Sequence, residues 1–105
     1  MKILITESKL ERVAINWLND NYGNLEPYET KEFPGLILYL EGRTVIIEYN
    51  KKNKDVYVNY EKIWKFFKSY FSLENEQIQH LIKMWIEENY KLKVKSASYN
   101  NVYLP

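Results

Sequence analysis

The residues that could do chemistry in this chain are few. It has a single histidine and 14 Asp and Glu, and no cysteine. On a helix, Glu76 would place one carboxylate four residues before His80, so the two would share a face. A metal site needs three or four such ligands, and no further His or acid falls at ligand spacing, so His80 reads as a surface residue and no metal is expected. The absence of cysteine removes disulfide scaffolds, thiol nucleophiles and thiolate metal sites together. The sequence contains no nucleophile elbow, and Gly23, Gly35 and Gly42 are too scattered to cradle a phosphate. Carboxylates alone can run hydrolysis when two face each other. Glu26, Glu29 and Glu32 are spaced through a loop, and Glu48 lies on a strand beside apolar neighbours. Glu48 is the one acid expected to be partly buried, and the expected register sets no second acid opposite it, so it reads as a solvated charge. These residues specify neither an enzyme nor a cofactor site.

Lysines form local clusters instead. Lys51, Lys52 and Lys54 crowd a turn, Lys62, Lys65 and Lys68 follow a helix, and Lys91, Lys93 and Lys95 open the tail. With Tyr57 or Tyr99 close by, such groups could hold single-stranded nucleic acid by stacking and phosphate contacts. The net charge is only +1. The consecutive Gly and aromatic residues of a ribonucleoprotein strand are missing. Solvation and protection of a sheet edge explain the same lysines. Ten tyrosines are as consistent with AT-rich coding DNA as with an interface.

The elements that must position these groups follow from periodicity. Ser8 and Glu11 have capping-box spacing, and Thr6 is a second cap candidate. Leu10, Val13, Ala14, Trp17 and Leu18 recur on one helical face, and Gly23-Asn24 is a stop signal, which predicts a helix over Glu7–Tyr22. Leu36–Leu40, Arg43–Tyr49 and Asp55–Val58 predict a three-stranded antiparallel meander, turned at Glu41-Gly42 and at Asn50–Asn53. The Leu25–Phe33 segment, broken by Pro27, is either an edge strand or a loop. Asn59 caps a second helix with Tyr60, Ile63, Trp64, Phe67, Tyr70 and Phe71 on its apolar face. After Ser72, a third helix carries Ile78, Leu81, Ile82 and Trp85. The alternation at Leu92 and Val94 predicts a last short strand. At 105 residues and 46% apolar content, the reading is one α+β domain over residues 1–105.

A two-residue turn at Glu41-Gly42 sets Leu38 opposite Val45 and Leu36 opposite Ile47. One face then carries Leu36, Leu38, Leu40, Val45, Ile47, Val56 and Val58, and the helices are expected there. The other carries Ile37, Tyr39, Thr44, Ile46, Glu48, Tyr57 and Asn59. That second face is too apolar for a solvated sheet. Three accounts stand: cover by the first helix or by Tyr99, Val102, Tyr103 and Leu104; a homodimer; or a partner-binding patch. Trp17 and Trp85 are assigned to the core.

The opening Met1–Leu10, with its Ile-Thr-Glu-Ser-x-Leu run, resembles the start of small uncharacterised proteins of tailed phages, including marine ones. The resemblance implies a viral origin and an accessory role in the host cytoplasm, and it carries over no functional residue. The longest apolar stretch, Leu36–Leu40, is far short of the about 20 residues of a membrane span. The expectation is therefore a soluble cytoplasmic, non-catalytic module that binds a protein or itself through Ile37, Tyr39, Ile46 and Tyr57. The alternative is a weak nucleic-acid binder using Lys51, Lys52, Lys54, Lys93 and Lys95.

Overall fold

The computed structural model of the chain describes residues 7–29 and 31–100. Helix α1 spans Glu7–Tyr22. Ala14, Leu18 and Tyr22, at i, i+4 and i+8, form its buried stripe, whereas Val13 is exposed. Gly23 ends the helix by donating its amide to the Asn19 carbonyl at 3.1 Å. A Cβ on Gly23 would stand 2.5 Å from that same oxygen, so the close approach requires glycine. The cap expected at Thr6, like the tail residues Val102, Tyr103 and Leu104, lies outside the described residues.

Strands β1 (Glu26–Glu29), β2 (Leu36–Glu41), β3 (Thr44–Asn50) and β4 (Asp55–Asn59) form an antiparallel meander of four, with β1 at the edge where Pro27 is tolerated. The β2–β3 turn differs from the expected one. Glu41 pairs with Thr44, so Gly42 and Arg43 are the central residues, and Gly42 has φ +62°. Glycine at the first central position of a two-residue turn is the II′ preference, and it spares Glu41 the positive φ that a Glu41-Gly42 turn of type I′ would demand.

The larger correction is a bulge. Leu40 pairs with Val45 but Tyr39 with Ile47, which leaves Ile46 as an extra residue in β3. Moving the turn by one residue leaves the parity of the pairing unchanged; inserting one residue reverses it. Beyond the bulge Ile37 therefore faces Tyr49, and Leu38 faces Glu48. The inner face becomes Ile37, Tyr39, Ile47, Tyr49, Val56 and Val58, with Ile46 buried beside them. Leu36, Leu38, Leu40 and Val45 turn outward and are half-buried.

Asn59 is buried and ties this sheet to the helices. Its Oδ1 accepts from the Lys62 amide at 3.1 Å, and its Nδ2 donates to the Val45 carbonyl at 3.0 Å. It caps a π-helical turn, Tyr60–Trp64, that runs into α2 (Lys65–Tyr70). Of the expected apolar face, Ile63, Trp64 and Phe67 are buried, while Tyr70 is 72% exposed. Ser72 reverses the chain at φ +54°. Glu74 and Gln77 form a reciprocal capping box at the start of α3 (Asn75–Asn89). Ile78, Leu81, Ile82, Trp85 and Ile86 are its buried stripe, and Trp85 Nε1 donates to Asn19 Oδ1 of α1 at 2.8 Å. Trp17 is only half-buried, stacked on Phe66 with ring centroids 4.3 Å apart.

The last strand lies later than expected. Leu92 and Val94 precede it, and β5 (Ser96–Asn100) joins β4 in parallel, giving a five-stranded sheet in the order β1-β2-β3-β4-β5. The fold is α+β. One cluster of buried side chains draws on all three helices and on β2 to β5. No helix among the described residues is long and apolar enough to cross a membrane.

Candidate functional site

The four residues expected to form a binding surface do not share one. Ile37, Tyr39 and Ile46 are 8%, 4% and 0% exposed. Tyr39 lies 4.5 Å from the Tyr90 ring, with burial pushing its hydroxyl pKa up. The bulge at Ile46 sends these side chains into the core. Tyr57 alone stays outward, half-buried on the opposite face.

That outer face is built by the same register. Tyr28, Leu38, Glu48, Tyr57 and Ser98 stand opposite one another in a single row across all five strands. On one side of this row lie Leu40 and Val45, and on the other Leu36, Asn50, Asp55 and Ser96. Tyr28 is 54% exposed, and Leu36, Leu38 and Leu40 are half-buried and lie outside the apolar cluster that packs on the helices. Glu48 occupies the middle of the row between Leu38 and Tyr57. Desolvation there pushes its carboxyl above the ordinary carboxylate value, as its apolar neighbours suggested. The face is thus an apolar strip with one central acid, suited to packing against another apolar surface rather than to acid–base chemistry. Leu36, Leu38, Leu40 and Val45 were missed because the side they face depends on the bulge, and Tyr28 because its segment reads equally as an edge strand or a loop. The sequence signal for it is the Ile46-Ile47 doublet, which both sides of a regular strand cannot bury on one face.

The lysines fare differently. At the β3–β4 tip, Asn50 Oδ1 accepts from the Lys52 and Asn53 amides at 2.9 and 3.1 Å, and Lys54 takes φ +59°. The Lys95 amide donates to the Lys54 carbonyl at 2.7 Å, and the buried Tyr49 hydroxyl donates to the Lys93 carbonyl at 2.7 Å. Lys51, Lys52, Lys54, Lys93 and Lys95 therefore meet at one end of the sheet. Lys51 pairs with Glu29; among the described residues no ion pair engages the other four. Asp55, which accepts from Ser96 Oγ at 2.6 Å, lowers the local charge.

His80 is exposed on α3. Among the described residues, no three His, Cys, Asp or Glu side chains come together. The chain matches no protein-family model, no curated protein and no solved structure.

Proposed function

We propose that this chain is a non-catalytic protein-interaction module whose binding surface is the outer face of the sheet. The observation that carries the reading is the row Tyr28-Leu38-Glu48-Tyr57-Ser98, bordered by Leu36, Leu40 and Val45. Half-exposed aliphatic and tyrosine side chains on a rigid sheet are the composition of an interface centre, where aromatic anchors are enriched and charge is sparse. A partner presenting an apolar surface with one cation for Glu48 would cover the strip and leave no buried charge unpaired.

The test is affinity capture with wild type and Leu38→Glu, each with and without nuclease and at high salt. The expected result is a stoichiometric protein retained by wild type after nuclease and in about 1 M salt, and lost with Leu38→Glu while the fold is kept. Recovery that disappears with nuclease would contradict it.

A second reading is favoured by the bond between Lys95 and Lys54, which gathers two separate lysine clusters into one patch. In that reading the patch holds phosphates of a single-stranded nucleic acid. Binding would then fall steeply as salt rises, and the paired reversals Lys52→Glu and Lys54→Glu would flatten the slope by about two counterions.

A further inference from the structure

We propose that the cavity between α3 and the entry to β5 binds a small phosphate group, either inorganic phosphate or the end of a phosphomonoester. The site goes beyond both readings above and shares only Lys95 with the lysine patch. The cavity holds about 230 Å³ and is lined by Gln79, His80 and Lys83 of α3 and by Lys95, Ser96 and Ala97. Helical spacing puts the first three on one face, since Gln79 and His80 precede Lys83 by four and three residues. The chain that brings in the other three is fastened to the same helix, because the Val94 amide donates to Glu87 Oε2 at 3.2 Å.

The electrostatics select the ligand. Two lysines from different segments line the cavity and no carboxylate does. Among the described residues neither Lys83 nor Lys95 has an ion-pair partner. The acids of the adjoining residues are engaged or turned elsewhere. Glu87 is held by the Val94 amide, and Asp55 accepts from Ser96 Oγ at 2.6 Å. Glu76 lines the adjoining cavity, with Leu10 and Leu73. Two lysines match the charge of about −1.5 to −2 that a phosphomonoester carries at neutral pH. Lysine serves phosphate as a point charge, whereas planar recognition of a carboxylate uses the arginine fork, and neither Arg12 nor Arg43 lines this cavity. Donors complete the set, since the His80 imidazole and the Gln79 amide each offer an N–H. The Lys51–Gly35 and Lys54–Asn50 bonds fix the ladder phase. Carried across the strand pairings, it turns the backbone of Ser96 and Ser98 toward β4 and the Ala97 amide away from it. Ala97 thus brings to the cavity wall an amide that β4 does not use. The volume is below the about 300–1,000 Å³ of sites for drug-sized molecules, which limits the occupant to a group on the scale of phosphate.

The experiment is an amide-resolved NMR titration of the whole chain with inorganic phosphate and, separately, ribose 5-phosphate, with sodium chloride at equal ionic strength as the reference. Saturable shifts are expected at the Lys83, Lys95 and Ala97 amides with phosphate and not with chloride. Equal affinity for the two probes assigns the site to free phosphate, and tighter binding of ribose 5-phosphate assigns it to a monoester. Lys83→Gln and Lys95→Gln are each expected to weaken binding about tenfold with circular dichroism unchanged, as the loss of a charge-assisted bond implies. Lys52→Gln, at the hairpin tip, is expected to leave it unchanged. If Lys83→Gln does not fold, Lys95→Gln decides. Shifts that never saturate, that chloride reproduces, or that persist at equal affinity in the two glutamine variants overturn the proposal. So does saturation confined to Lys51, Lys52 and Lys54, which would assign the phosphate to the hairpin tip and support the nucleic-acid reading alone.

Discussion

Glu48 faces outward between Leu38 and Tyr57, and desolvation raises its carboxyl pKa. A raised carboxyl pKa means that the folded state holds its proton more tightly than the unfolded state does. The associated stability is complete below the unfolded value of 4.5 and is lost as pH rises through the folded value. Glu48→Gln should therefore gain stability over wild type at pH 7 and show no gain near pH 3; urea unfolding at both values measures the difference. Asn59 works in the opposite direction. It closes one helix amide and one strand carbonyl at once, so Asn59→Ala should cost about 2 kcal/mol, the sum of a lost cap and a lost buried bond. Asn59→Ser should recover part of this, because a serine hydroxyl can keep the cap and only the bond to Val45 is lost. Denaturant midpoints of the two variants test the order. The capping role was legible in the sequence, since Asn directly before an apolar helical run is a start signal. Its grip on Val45 was not, because that contact spans 14 residues and depends on the sheet register.

Among the elements, legibility followed periodicity. Helix α1 and the stripe of α3 could be read directly, because an apolar spacing of three and four has one structural solution. The expected meander is present, with β1 added at its edge and β5 in parallel at the other. Sheet faces were not readable. Leu36 to Leu40 is apolar at every position, so either set of alternating residues could face the helices and local pattern cannot choose. The bulge makes the choice, and it answers a demand from the core. Without the extra residue at Ile46, β3 could bury Val45, Ile47 and Tyr49, or Ile46 with Glu48. With it, Ile46, Ile47 and Tyr49 are all buried and Glu48 points out. That reversal buries Ile37, Tyr39 and Ile46 and turns Leu36, Leu38, Leu40 and Val45 outward, which moves the proposed binding surface to the latter. The lysine clusters met for a related reason: β5 pairs with β4 in parallel, which returns the chain to the hairpin tip before the strand begins.

At the scale of the whole molecule, three helices close one face of a five-stranded sheet and the other face is left to a half-buried apolar strip. Everything proposed for the outer face rests on Leu38 pointing outward and Ile37 inward, and the absence of cysteine from the chain makes this directly measurable. Single variants Leu38→Cys and Ile37→Cys, treated with a thiol reagent in native buffer and in denaturant, report each side chain separately. The bulged register predicts that Leu38→Cys reacts in the native protein, while Ile37→Cys is protected at least tenfold more strongly and reacts fully only when unfolded. A native protein that labels at position 37 and protects position 38 would contradict the register and, with it, the proposed binding face.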